Sequence, residues 1–257
     1  MKFKHLLSLF ILLIYYSANA QINTEIYRKI NPDPGFTNTF YIGGDYESGN
    51  TNYTRFVFGY AADYYFYPMY LFTTSDISYK EGNNEIISNT GLIYIKAEFR
   101  INNILYPEIF FQRNFNKSKK IKDRNLFGGG ARWHVLGLNP EEDSLNKFNI
   151  FLGAGVMSEY ENYYQNIEDS RVLFRSTNYL NIRWKFKEQV ELHSTTYFQF
   201  DFSNIDDYRI LTEFSLIFTI LDSFKFTLQL KDFYDNIPLP STKANDLRIE
   251  NRISFEF

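Results

Sequence analysis

From about residue 36 to the end, the chain is written in alternation. The last stretch, 247–257, is the clearest. Leu247, Ile249, Ile253, Phe255 and Phe257 share one set of alternate positions, with Asn251 as its polar member. Arg248, Glu250, Arg252, Ser254 and Glu256 share the other. Side chains of a strand point to opposite faces in turn, so this segment is oily on one side and charged on the other. The same period of two recurs in 91–100, 180–186, 190–202 and 224–231. Twelve strands follow from it, near 36–47, 51–66, 69–80, 86–100, 104–115, 124–137, 147–160, 171–186, 189–202, 207–221, 223–234 and 245–257.

Alternation is shared with soluble sandwiches. Three features separate this chain from them. Its strands run roughly 10 to 15 residues, against about 5 to 6 in soluble sheets and about 9 to 11 for a strand crossing a bilayer. Aromatic residues crowd the strand ends, as in Tyr64-Tyr65-Phe66-Tyr67 and at Tyr160, Tyr163 and Tyr164, where barrel girdles sit. Tight turns at 67–68, 101–103, 187–188 and 222 alternate with longer polar connections at 116–123, 161–170 and 235–244. The connection 138–146 is long on the short side, and Pro107 falls inside the fifth strand without a ladder donor. Backbone groups in hydrocarbon must all be paired, which a sheet achieves only by closing on itself. The polar faces carry too many Arg, Lys and Glu for a dry core. The reading is an all-β, closed antiparallel transmembrane barrel of about twelve strands, oily face outward.

The N-terminus differs. Lys2 and Lys4 precede an apolar run over 6–16, and Ser17-Ala18-Asn19-Ala20 puts Ala18 and Ala20 at the -3 and -1 positions of a cut. That is the pattern of a secretory signal peptide, too short to span a bilayer. The expected organisation is a signal peptide at 1–20, a short periplasmic segment at 21–35 and a barrel at 36–257 in the bacterial outer membrane. Outer-membrane lipid and the barrel assembly machinery are the expected partners, with Phe257 as the terminal aromatic assembly signal.

Composition sharpens this. Of 257 residues, 19% are aromatic and none is Cys, which removes disulfides, thiol nucleophiles and a lipid-modified cysteine. Lys+Arg is 27 against Asp+Glu 30, which gives no basic excess for nucleic acid.

Gly44-Asp45-Tyr46-Glu47-Ser48-Gly49-Asn50-Thr51-Asn52 in the first hairpin resembles the salt-induced outer-membrane protein family. So do Phe111-Gln112-Arg113-Asn114-Phe115, Asn125-Leu126-Phe127-Gly128-Gly129-Gly130-Ala131-Arg132-Trp133, and Tyr234-Asp235-Asn236-Ile237-Pro238-Leu239-Pro240 with Lys243, Asp246 and the final Phe257. Asn245 departs from the Thr expected before Asp246. The resemblance covers most of 36–257. It implies an outer-membrane barrel and brings no catalytic residues or cofactor.

Chemical candidates are sparse. Gly128-Gly129-Gly130 lacks the Lys-Ser/Thr of a phosphate loop and reads as strand glycines admitting close neighbours. His134 and His193, on separate strands, give no metal site without a third ligand. His193-Ser194-Thr195 is similar to the His-x-Ser of outer-membrane phospholipases but has Thr where the nucleophile belongs, so a barrel lipase is only the alternative and no enzyme is expected. Lys117, Lys119, Lys120, Lys122 and Arg124 form a basic run in an outer loop, suited to lipid phosphates or simply solvated. The polar faces assign Arg132, His134, Arg175, Arg183, Lys185, Glu191, His193, Asp201, Arg209, Glu213, Lys225, Lys231, Arg248, Glu250 and Arg252 to the lumen. Leaving out the histidines, that set has nine bases against four acids, an excess of five positive charges. A narrow lumen of one sign favours the opposite ion. The expected function is a narrow passive pore preferring anions, or a structural barrel of the stressed envelope.

Overall fold

Each alternating segment becomes a strand. The computed structural model describes residues 25–29, 32–47, 53–82, 85–137, 147–164, 170–238 and 244–257. Its strands are β1 (Gly35–Glu47), β2 (Tyr53–Phe66), β3 (Met69–Gly82), β4 (Glu85–Phe99), β5 (Leu105–Asn116) and β6 (Ile121–Leu136). They continue as β7 (Lys147–Tyr163), β8 (Arg171–Lys187), β9 (Val190–Phe200), β10 (Tyr208–Leu221), β11 (Phe224–Asp235) and β12 (Asn245–Glu256). Every strand pairs antiparallel with its chain neighbours, and β1 closes the barrel on β12. That seam is the shortest pairing, five registered pairs from Thr39–Glu256 to Gly43–Arg252. Mutual backbone bonds of 2.9 Å between Asn38 and Phe257 extend it. Pro107 is tolerated at the third residue of β5, paired with Ala131.

The outer face is apolar. Phe36, Phe56, Phe58, Ile93, Phe127, Phe174 and Ile249 are exposed, while Arg, Glu and Gln side chains are buried inside. This reverses the burial order of a water-soluble protein and matches strands facing hydrocarbon. Trp133, Phe148 and Trp184 lie outward near the end that holds both ends of the barrel sheet, and Tyr160, Tyr164 and Phe174 near the opposite end, where the longer loops are. Tyr163, expected in the girdle, is instead inside. β7 runs on past residue 160, and its period turns Tyr163 inward to donate to Glu161.

Two further expectations change. β6 starts at Ile121, so half of the basic run belongs to a strand and only Lys117–Lys119 forms a 3₁₀ turn. A register shift between Ile121 and Asp123 breaks the alternation there, so Arg124 is buried while Lys122 stays exposed. The stretch 21–35, expected in the periplasm, sends Glu25 and Arg28 into the barrel, where they are 1% and 4% exposed. The residues expected to form a signal peptide, with Ala18 and Ala20, and the connection 138–146 lie outside the described residues.

The interior is not uniformly polar. Ala61, Tyr70, Phe72, Leu92, Tyr94, Phe110, Leu126 and Met157 pack together on the inner face of β2–β7. Gly128 belongs to this packing: a Cβ there would lie 2.6 Å from the Phe110 ring and from the Val156 carbonyl oxygen. Close approach therefore explains the glycine run, as the strand context suggested.

Candidate functional site

Fourteen of the fifteen residues assigned to the lumen lie on the inward face of their strands, and Asp201 is buried just past the end of β9, bridged to Arg175. Ten are buried, and Lys185, Glu191, Lys225, Lys231 and Arg248 are partly exposed. They do not act as one lining. Two groups form, one in the half nearer the termini and one in the half nearer the long loops.

The lower group is organised by a residue from outside the sheet. A 3₁₀ turn at Glu25–Tyr27 places the Glu25 carboxylate against Arg132 of β6, 3.2 Å from Lys96 of β4, and 3.4 Å from Arg28. Arg183 of β8 donates to the backbone carbonyls of Glu25 and Arg28. Arg28 pairs with Glu98, and Lys29 reaches Glu256 at 2.9 Å. Tyr179 roofs the group. Its hydroxyl donates to Glu108 at 3.0 Å, and Lys96 and Arg132 sit over its ring at 5.5 and 5.9 Å. The ring fits because its registered partner on β7 is Gly153, where a Cβ would stand 2.0 Å away. The segment thus fills the lower lumen with paired charge.

The upper group surrounds a cavity of about 450 Å³. On one wall Glu161 of β7 faces Arg124, Arg171 and Arg209 at 3.2, 2.8 and 3.4 Å. Arg209 also reaches Asp235 at 3.1 Å and Glu159 at 2.7 Å. Glu159 in turn holds Arg175, which reaches Asp207 at 2.7 Å. On the other wall Glu250 of β12 faces Arg55 at 2.7 Å, Arg248 at 3.5 Å, Lys231 at 3.6 Å and Arg252 at 3.7 Å. Lys231 also lies 3.7 Å from Glu213. Here too a tyrosine lies over a glycine: Tyr41 over Gly59, its ring face 4.2 Å from the Arg252 guanidinium. The β5–β6 turn crosses the mouth. Asn116 accepts from the Lys119 backbone, and the Lys119 ammonium lies 3.4 Å from the Phe233 ring centroid and 3.3 Å from Asp246. Burial pulls that ammonium down to about 7 against the opposing pull of Asp246. Lys119 and Arg124 therefore point inward, away from any lipid phosphate.

The remaining assigned residues hold local partners. Lys185 and His193 share Glu191 at 3.7 and 3.3 Å, and Lys225 pairs with Glu256 at 2.9 Å. Asp201 accepts from the Ser203 backbone and hydroxyl. His134 bonds Asn149 at 2.9 Å and stacks on Phe151. Ser194 lies on the face opposite His193, and Thr195 accepts from Asn181 at 2.8 Å, so the three residues converge on no common point. Among the described residues no cluster of three metal-ligating side chains forms.

Several interior charges were not assigned to the lumen from the sequence: Glu25, Arg28, Arg55, Lys96, Glu98, Glu108, Arg124, Glu159 and Glu161. Counting them alters the balance. The buried titratable set, histidines aside, holds nine bases and eleven acids, so the excess of five positive charges does not extend to the whole interior. The strand period in β4 and β7 was the signal for four of them, Lys96, Glu98, Glu159 and Glu161. Nothing in the local pattern marked Glu25.

The fold is shared with solved membrane barrels. An outer-membrane channel of the COG4313 group from Pseudomonas putida F1 superposes with TM-score 0.51 at 10% identity, over 92% of this chain and 100% of that one. The NanC porin gives 0.49 at 9% identity, over 85% and 97%. The translocator domain of the autotransporter NalP from Neisseria meningitidis gives 0.46 at 11%, over 88% and 89%. At such identities the likeness is one of fold: a closed antiparallel barrel of the bacterial outer-membrane type. No curated protein matches the chain. Residues 41–257 match the model of a protein family of unknown function, DUF481, and the chain belongs to that family.

Proposed function

We propose that the protein is a narrow passive pore of the bacterial outer membrane, closed at rest in its lower half by its own N-terminal segment. One observation carries this. Beneath a cavity of about 450 Å³ the lumen is filled by residues 25–29 held to β4, β6 and β8. A structural barrel has no need of a charged cavity above a separable filling. The filling is held by charge, and charged groups that meet through side chains can part and meet water again. Undocking would leave Lys96 and Arg132 in the lumen without Glu25, which favours the docked state. The mixed charges of the interior favour small ions and polar solutes over apolar ones.

Planar-bilayer recording tests the reading. The folded full chain should give rare, small openings, and a chain lacking residues 21–30 should give a larger and more constant conductance. A folded deletion variant that conducts nothing would remove the pore reading.

A further inference from the structure

We propose that the loop-end cavity is a binding site for a small organic polyacid, a molecule with two or more carboxylates on a compact carbon skeleton. This rests on the pore reading only for its purpose, since binding needs no conduction.

The two walls carry the argument. Each is built around one carboxylate that faces several cations. Glu161 meets three arginines within 3.4 Å, and Glu250 meets three arginines and a lysine within 3.7 Å. A guanidinium presents five N–H donors in a planar fork, whereas a carboxylate has about four lone-pair sites. Neither glutamate can use all the donors aimed at it. The described cavity lining holds eight basic and six acidic residues, and Glu159, which binds Arg124 and Arg209 from just outside it, brings the acids to seven, so a surplus of one positive charge remains.

Geometry separates the two surpluses. Glu161 is on β7 and Glu250 on β12, five strands apart in the ring of twelve, so the cationic groups face each other across the cavity. A single anion engages one wall. Two acid groups on one skeleton engage both, each as a bidentate partner of an arginine fork, the geometry at which Arg surpasses Lys. Phe233, Tyr163 and Leu211 line the space between and offer apolar contact to the carbon skeleton. The volume suits a molecule of metabolite size, at the lower part of the usual range for ligand pockets, about 300 to 1,000 Å³.

Calorimetry on the folded, detergent-solubilised full chain tests this, with citrate as the probe and acetate as the single-carboxylate control. Citrate should bind at least about tenfold more tightly than acetate, a difference of about 1.4 kcal/mol. Arg171→Gln on one wall and Arg248→Gln on the other should each weaken citrate by about tenfold or more, and each should bring citrate closer to acetate. Arg248 is the more exposed of the two, so its variant folds even if Arg171→Gln does not. Lys187→Gln, exposed at the terminus end of β8, should leave binding unchanged. No citrate binding, equal affinity for acetate, or citrate binding indifferent to both arginine variants would overturn the proposal. Citrate binding by a protein that conducts nothing would remove the pore and leave this site. Conduction without citrate binding would do the reverse.

Discussion

The two halves of the lumen solve one problem in opposite ways. Both bury several arginines, and both lay a tyrosine ring on a glycine beneath a cation: Tyr179 on Gly153 below, Tyr41 on Gly59 above. Below, the organising carboxylate is Glu25, which reaches in from a segment outside the sheet and fills the space it neutralises. Above, the organising carboxylates are Glu161 and Glu250, fixed on strands, and the space between them stays open. A strand can supply charge to a wall, but only a separate segment can fill the middle. The lower half is therefore the half that can change state, and the upper half is the one built to receive a solute.

Four changes would break or sharpen that contrast. The largest effect is expected at the seam, which is zipped only at the terminus end. Deleting Phe255 to Phe257 removes two of its five registered pairs and the Asn38–Phe257 bonds. Assembly should fail, seen as loss of heat-modifiable gel migration; wild-type migration would show that the seam does not limit closure. Next is Glu25→Gln. It leaves Arg132 and Lys96 buried without their shared anion, at a cost of about 3 kcal/mol or more. Trypsin should then cut after Arg28 and Lys29 in the folded barrel, where the parent resists. Equal resistance would mean that the segment is held by something other than Glu25.

A smaller effect separates the glycines. In Gly153→Val the displaced Tyr179 ring meets the docked segment, whereas in Gly59→Val the Tyr41 ring can move toward the cavity. The first should lose about 3 kcal/mol and the second about 1 kcal/mol, within the range for overpacked sites, read from urea unfolding in detergent. A reversed order would place the free volume in the wrong half. The smallest effect concerns Lys119. Docked across the mouth it titrates near 7, and undocked it should titrate near the free lysine value of about 10.4. The undocked turn therefore binds more protons between these values, so docking gains as pH rises through that window and is weakest below 7. The groups facing it are Asp246 and Arg248 of β12 and Arg124 of β6, with the Phe233 ring of β11. With its side chain 21% exposed the change is modest. Fluorescence of Phe233→Trp should follow this titration, and Lys119→Met should flatten it.

The barrel was legible in the sequence because a strand of period two carries its own face assignment. The inward positions of Arg132, Arg183 and Glu250 follow from their neighbours alone. Partnership was not legible, because antiparallel neighbours are set by register and partners across the lumen by closure. The six strands used for the charge count omit β4, β5 and β7, whose Glu98, Glu108, Glu159 and Glu161 add four buried acids to the interior. Glu25 was hidden for another reason. It sits in a short segment without period, so no pattern distinguishes a residue that enters the barrel from one left outside it. The basic run at 117–124 misled because a loop reading stops alternation at Asn116, whereas Ile121 resumes it.

The contrast between halves is tested most directly by thiol reactivity, since the chain has no cysteine of its own. Ser78→Cys would report on the upper cavity, which Ser78 lines, and Thr195→Cys on the lower lumen, beside Asn181, which accepts from the Arg132 that holds Glu25 of the docked segment. Each is made in the full chain and in a chain lacking residues 21–30, and its rate with a small charged thiol reagent is measured. The account predicts that position 78 reacts equally in both chains and that position 195 is protected in the full chain and reacts once the segment is gone. Equal rates at position 195 with and without the segment would contradict it.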